Sequence, residues 1–481
     1  MQISRREFTL LMSSVAVALA TPLALAQALR VRREIRTLPE ADIDALKAGV
    51  QAMRALPKAD LHAWLYQAGV HGAPAADSAG VPDAATYWNQ CVHFGLHFLS
   101  WHRWELLFIE EIMRQMSGYC SFALPYWDYL ADGFLPDPLR QTPDGNNPLY
   151  DGTRIAALNN GTAGLSGMNL DALDEAQFPG FSGILYGNPH SAVHGQVSGN
   201  MGSVPTAARD PVFYLHHCNI DRYWECWSRK GGSNPDGSWS GQTFPFRTVT
   251  GHRDARAGDA GRTANLGYTY DNLPCGRLIN PALLDLLREL RYLKLRVRPR
   301  PIPEPDPWPW RPAITTEPFE ITALPVAFVL AQSDLQKAGL AKAILDAKGT
   351  SAAIVLHGVK TTDAARKGGF FIDAWIAPVD AMRSGKTDSA RHAGSFSSFD
   401  LSMPADHARH HATVGATGAP SIALPLSEDA MRLLAGSKGD IAVVFVRRGL
   451  VDRKNRPIDD GGQATLFHVE GMGLGIAAAS R

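Results

Sequence analysis

The stretch Cys91–Glu111, CVHFGLHFLSWHRWELLFIEE, decides how the rest of the chain is read. It sets His93, His97 and His102 among aromatic residues and runs on into an amphipathic segment of helical period. Neutral imidazole suits copper, zinc, iron or nickel, so clustered histidines raise a metal centre. His93 and His97, at i and i+4, would share one face of a helix. Histidines packed inside an aromatic core are the competing reading. Spacing within this stretch leaves both open.

On the N-terminal side, Pro39–Leu56 alternates apolar and polar residues with helical period. Asp60–Ala76 follows with His62 and His71, the latter in Val-His-Gly-Ala-Pro, a turn-like context that can aim an imidazole from a loop. On the C-terminal side, residues 131–188 are rich in Gly, Pro, Asn and Asp and read as a long loop region. Gly187–Gly195 then carries His190 and His194, again four apart. Asp210-Pro211 reads as a helix start, since proline is tolerated in the first turn. That helix carries His216, His217 and Asp221. The Asp221 carboxylate, four after His217, is expected either to orient the helix or to support a ligand from behind.

Farther on, Pro281–Leu295 reads as one more helix, and Arg296–Pro318 is too proline-rich for regular helix or central strand. It is expected to be an extended, solvent-accessible linker over 296–318. Ala352–Val359, Gly369–Ile376, Ser421–Leu426 and Ile441–Val446 look like β-strands between turn signals, which predicts a small all-β domain over 319–481.

The 481 residues suffice for two or three domains. Lys plus Arg and Asp plus Glu each number 47, a balance that argues against a nucleic-acid or anionic-membrane binder. Ser4-Arg5-Arg6-Glu7-Phe8-Thr9-Leu10, an apolar run through Ala20 and Ala24-Leu25-Ala26 predict a twin-arginine signal over 1–26. The expected destination is periplasmic or secreted, with no membrane anchor. Five cysteines make no disulfide scaffold, and the odd count leaves at least one free. Cys218 and Cys226 would lie about 12 Å apart along one helix, too far for a disulfide.

Two histidine triplets emerge: His71, His93, His102 and His190, His194, His217. With their surroundings they resemble the type-3 copper family of tyrosinases, catechol oxidases (polyphenol oxidases) and haemocyanins. His93 and His102, ending in Trp-His-Arg, are similar to the second and third copper A ligands, and His71 to the first. Pro-His190-Ser-Ala-Val-His194 and Asp-Pro-Val-Phe-Tyr-Leu-His-His217-Cys-Asn-Ile-Asp-Arg are similar to copper B. The likeness spans roughly residues 30–275. It implies two copper ions per chain and leaves His62, His97 and His216 outside the ligand set.

The resemblance further implies a mainly α central domain over 27–295, a four-helix bundle holding the dinuclear copper site with long loops. The C-terminal part is similar, through Gly369-Phe-Phe-Ile-Asp-Ala-Trp375 and His392-Ala-Gly-Ser-Phe396, to the sandwich-like β domain of plant polyphenol oxidases. In those enzymes this domain shields the site and an apolar side chain plugs it. Cys91, two before His93, matches the cysteine joined to that histidine by a thioether in fungal and molluscan members. A free buried thiol is its alternative. His407, His410 and His411 read as a solvated loop or an aid to copper loading.

The function implied is oxidation of o-diphenols to o-quinones with O₂, and hydroxylation of monophenols. No catalytic residue beyond the copper ligands is called for. Val204, at the position of a bulky gate residue, together with Ser191, Gly195 and Phe98, is expected to shape the pocket. Ser191 in place of asparagine, and no glutamate near Phe181–Tyr186, weigh toward a strict catechol oxidase. An o-aminophenol oxidase and a haemocyanin-like oxygen carrier stay as further alternatives. Small phenols and O₂ are the expected partners, and a homo-oligomer stays open.

Overall fold

The computed structural model describes residues 29–93, 95–142, 144–275, 315–337, 351–383, 389–402, 420–459 and 461–477, with the pairs 295–296, 299–300 and 311–312. The expected signal, the helix over 281–294, most of the proline-rich stretch and His407, His410 and His411 lie outside these residues. No described helix is long and apolar enough to cross a membrane.

The N-terminal half is helical. Helix α1 (Glu40–Arg54) carries Glu40 and Asp42 in its first turn and Arg54 in its last, which suits the helix dipole. Its buried Leu46, Val50 and Met53 recur at three to four residues and face α3. Helix α2 (Trp64–His71) is short and ends on His71. Helix α3 (Phe98–Ser117) buries every residue from Phe98 to Glu110 and stops at Gly118, whose φ of 68° is left-handed. Helix α4 (Phe178–Leu185) runs through a kink at Asn188 (φ −140°, ψ 118°) into α5 (Ala192–Val197). Helix α6 (Val212–Arg229) is buried from Val212 to Trp227.

Asp210 shows how α6 starts. Its Oδ1 accepts the Val212 N–H at 2.9 Å, while Arg154 clamps the same carboxylate at 2.6 Å in full burial. Residues 131–177 are mostly irregular, as expected. Helix α4 is a departure, because composition alone makes 131–188 loop throughout. Pro179 stands in its first turn, where it costs no hydrogen bond, and Gly183 packs against Pro425.

The C-terminal half is β-rich. Strands Ser351–His357, Phe370–Pro378, Ile422–Pro425 and Ile441–Gly449 fall where the apolar runs between turn signals predict them. A five-stranded sheet runs in the order 391–396, 370–378, 441–449, 326–330, 295–296. A four-stranded sheet runs 422–425, 351–357, 471–477, 311–312, and a three-stranded sheet 360–361, 465–469, 319–322. All three contribute to one apolar core around Ile354, Ile372, Phe396 and Phe467. Leu295–Arg296 and Arg311–Pro312 pair at outer edges, so the flanks of the proline-rich stretch are tied to this half. Edge positions are where a proline costs a sheet least.

The halves do not merely abut. Phe371, Phe399 and Leu450 of the β half belong to the same apolar cluster as Trp101, Phe213 and Val197 of the helical half. Cys226 pairs with Cys275, while Cys91, Cys120 and Cys218 form no disulfide among the described residues.

Candidate metal centre

Six buried histidines converge between α2, α3, α4–α5 and α6. His71 ends α2, His93 lies on the loop before α3, and His102 stands one turn inside α3. Their rings are mutually 5.2–5.6 Å apart. His190 sits just past the kink and His194 one turn on, at 4.7 Å between rings, and His217 comes from α6 at 5.1 Å and 5.6 Å from them. The two sets touch where His102 stacks on His217 at 4.4 Å.

Hydrogen bonds fix how the rings point. Nδ1 of His102 lies 2.8 Å from the Phe98 carbonyl, that of His190 3.2 Å from Tyr186 and that of His194 2.7 Å from Met201. A carbonyl only accepts, so in each ring Nδ1 carries the hydrogen and Nε2 keeps a bare lone pair. Among the described residues, Nε2 of His102 and of His190 has no hydrogen-bond partner, and Nε2 of His194 faces Nε2 of His217 at 3.4 Å. Burial holds His102 and His194 down to about 3, and burial with neighbouring imidazoles puts His190 and His217 well below the ordinary range. Neutral rings with bare nitrogens aimed at one another are what a metal ion requires and what an apolar core does not explain. All-imidazole donor sets of this kind fit copper.

His216 raises a real choice, because His190, His194, His216 and His217 all offer nitrogens within 4.8 Å of one another. Proximity alone does not separate them. His217 faces the other triplet through His102, whereas His216 is backed by Tyr129 at 5.7 Å. His97 turns away, stacking on Trp239 at 5.9 Å with Nε2 3.3 Å from the Trp239 carbonyl. His62 pairs with Asp60 at 3.1 Å, far from the cluster in its bonding.

Cys91 brings its Sγ to 3.3 Å from Nδ1 of His93 in a fully buried setting. Burial pushes the thiol up, so it stays protonated there. Asp221 bonds none of the six rings. It accepts from the Arg103 guanidinium, from Tyr268 at 2.7 Å and from Tyr270 at 2.5 Å. Since Arg103 follows His102, Asp221 braces α3 against α6 and supports the site through that helix.

Of the expected pocket residues, Phe98 lies inside the cluster, 4.6 Å from the His190 ring and 4.8 Å from His102. The other three meet the β half. Ser191 Oγ bonds Ser397 at 3.1 Å and donates to Asp400. The Gly195 carbonyl accepts from Gly369 at 2.9 Å, and the Val204 N–H donates to Ser402 at 2.9 Å. A side chain at Gly195 would come within 2.7 Å of the Phe370 carbonyl, so the close approach needs glycine there.

Sequence reasoning misses two aromatic contacts. Phe213 lies 4.7 Å from His71 and 4.2 Å from His217, on the helix face next to the ligand motif. Phe399 comes from the β half and stacks on His194 at 3.9 Å and 12°, with His93 and His190 at 5.6 Å and 5.7 Å. It is presented by a short helical turn, Ser398–Leu401, capped by Ser397 and Asp400. The only signal is an aromatic three residues past the His392–Phe396 motif.

The common central domain of tyrosinase matches residues 62–162 and 170–230. A tyrosinase of Hahella sp. (strain CCB-MM4) is 30% identical over 294 residues, covering 50% of this chain and 63% of that one. A chloroplastic polyphenol oxidase of Malus domestica is 28% identical over 295 residues, covering 51% and 49%. The chain thus spans from about half to under two thirds of these curated relatives. The fold is that of a latent apple tyrosinase structure, with a TM-score of 0.57 at 20% identity over 94% of this chain and 98% of that one. Six convergent histidines, the central-domain match and these relatives agree: over residues 62–162 and 170–230 the chain carries the common central domain of tyrosinase, and it is similar to tyrosinases and polyphenol oxidases.

Proposed function

We propose that this protein is a copper-dependent polyphenol oxidase that converts o-diphenols to o-quinones with O₂ and also hydroxylates monophenols. The observation that carries the reading is the set of three rings whose Nδ1–H groups are spent on carbonyls and whose Nε2 lone pairs face a shared space. His71, His93 and His102 would hold one copper and His190, His194 and His217 the other; bound there, such a pair would supply Cu(I)/Cu(II) redox chemistry toward O₂.

The protein's part is placement. Carbonyl bonds keep each imidazole in one tautomer, Phe98 and Phe213 exclude water between the triplets, and Cys91 restrains His93 through a thioether. Val204, small and beside the site, leaves room for a phenol ring once the β half has moved. The domain plan is a signal over 1–26, a copper domain over 27–295, a linker over 296–318 and a shielding domain over 319–481 with Phe399 as its plug. Export by the twin-arginine route would deliver the folded protein to the periplasm or beyond.

Copper reconstitution tests the reading. Protein loaded with two copper ions per chain should turn over 4-tert-butylcatechol continuously without an activator, and protein loaded with zinc should not. A single stoichiometric uptake of O₂ with no turnover would mark an oxygen carrier instead.

A further inference from the structure

The chain runs out of α6 past Cys226 and returns to it at Cys275, where the two cysteines are joined across a separation of 49 residues. The segment between them is thus a closed ring. It does not stay beside α6. It crosses to α3 and to the loop in front of α3, the stretch that carries His93 and His102.

The crossing begins at Trp239, whose Nε1 donates to the Leu96 carbonyl at 2.7 Å and fixes the loop between His93 and α3. A hairpin of Thr243–Thr248 and Gly251–Arg256 then lies along the helix. Its Phe246 stands 5.5 Å from Trp101 and 5.0 Å from Phe108, and the Arg256 carbonyl accepts Trp104 Nε1 at 2.9 Å. Beyond the hairpin, the Ala260 carbonyl accepts at 2.8 Å from Arg103, the residue after His102. Tyr268 and Tyr270 lead back to α6 through Asp221. These α3 contacts fall between Trp101 and Phe108, toward the end that bears the ligand. Helix α1 braces the other end, with Gly49 beside Met113 and Ser117. The second triplet has a different support, since the β half meets α5 at Gly195.

We propose that the Cys226–Cys275 bond closes a strap that positions the first histidine triplet, so that breaking this bond frees the first metal ion and leaves the second in place. That two ions are held rests on the copper reading above; the course of the strap does not. A cross-link acts by removing open conformations that the free chain could reach, and more so for a long loop. With the bond broken, residues 227–274 can lift from α3 as one segment. His102 then keeps its bond to the Phe98 carbonyl but loses the wall behind its helix. Removing a support behind a ligand typically weakens metal binding about 10- to 100-fold.

The test loads the full-length protein with zinc, which suits imidazole and has no redox chemistry of its own, and treats it with a phosphine. The S–S bond takes up two electrons and two protons to become two thiols, while the phosphine becomes its oxide with oxygen from water. Intact mass confirms the two added hydrogens. Transfer of zinc to a coloured chelator should quicken about tenfold or more for one ion per chain and stay unchanged for the other. The quickened phase should be missing from His71→Ala, which lacks the first site. Cys275→Ser opens the same ring without a reductant and should reproduce the result; the phosphine arm starts from folded protein and decides if that variant does not fold. Hydrogen exchange of the metal-free protein reads the strap without any ion. Protection of the Trp101 amide, bonded to the His97 carbonyl, should fall when the ring opens, while that of the Gly369 amide, bonded to Gly195, should hold. Equal quickening of both ions, no quickening, a fast phase that survives His71→Ala, or unaltered Trp101 protection would each overturn the strap. A chain that binds no metal with the ring closed would refute the copper reading instead, and the exchange result would still decide for or against the strap.

Discussion

The two histidine triplets are built differently. The first draws its residues from a helix end, a loop and a helix, and its one sulfur neighbour, Cys91, comes from within the helical half. The second comes from a kinked helix and α6, and there the β half leans on it: Phe399 stacks on His194, and Ser191, Gly195, Gln196 and Ser198 all bond residues between Lys367 and Gly449. Access to the pocket must therefore be opened from the second side. The first is closed mostly by the helical half, with Phe399 reaching His93 from the β half.

Breaking the second triplet should have the largest effect. His194→Ala removes a ring held between Met201 and Phe399. Copper should fall from two ions to about one per chain and diphenol oxidation to background, because one copper cannot supply both electrons. Metal analysis alongside the catechol assay decides it. Full activity with one copper would end the dinuclear reading.

Next in size is the plug. Phe399→Ala costs the halves about 3–5 kcal/mol of packing and leaves the His194 ring uncovered. If the open form is otherwise a few per cent populated, kcat/KM for a diphenol should rise about tenfold or more at equal copper content. Unchanged kinetics would mean that another residue closes the pocket. Cutting the proline-rich stretch alone should do less. The main-chain bonds Gly369 to Gly195 and Gly164 to Val451 persist after the cut, as does the shared apolar core.

How much of this was legible follows from what fixes each residue. Resemblance to copper motifs picked out both triplets where spacing alone pairs His93 with His97, and the strands stood out as apolar runs between turn signals, the two central ones buried on both faces. Spacing failed where partners come from far away. Asp221 sits four after His217, yet its carboxylate is spent on Arg103, Tyr268 and Tyr270. The Cys226–Cys275 pairing spans 49 residues and has no local signature. Helix α4 hid in a Gly- and Pro-rich stretch because its Gly183 is set by contact with Pro425 of the β half rather than by helix propensity. Phe399 is one aromatic in a polar loop, and only the docked fold gives it meaning.

A smaller effect would sharpen the contrast from the first side. Matured with copper and O₂, the protein should lose two hydrogens in intact mass through the Cys91–His93 thioether. Cys91→Ala should still bind both coppers, with the first site releasing its ion about tenfold faster to a chelator, since His93 would keep less of its restraint. A thiol at Cys91 that alkylates in fully active, denatured enzyme would show the contact to be packing alone.

The smallest effect belongs to His97, which helical spacing pairs with His93 but which the structure turns toward Trp239. Helix α3 begins only at Phe98, so the i, i+4 relation between His93 and His97 never forms. Burial also holds the His97 ring below the ordinary range, against the help of the Trp239 carbonyl, so it is neutral at working pH and contributes no charge to the site. His97→Ala should thus remove one half-buried hydrogen bond and one stacked contact, about 1 kcal/mol, shifting Tm by no more than a few degrees. Copper content should stay at two ions per chain and diphenol kinetics within about twofold of wild type. Loss of either copper in this variant would place His97 among the ligands and return the first triplet to the face that simple helical spacing suggested.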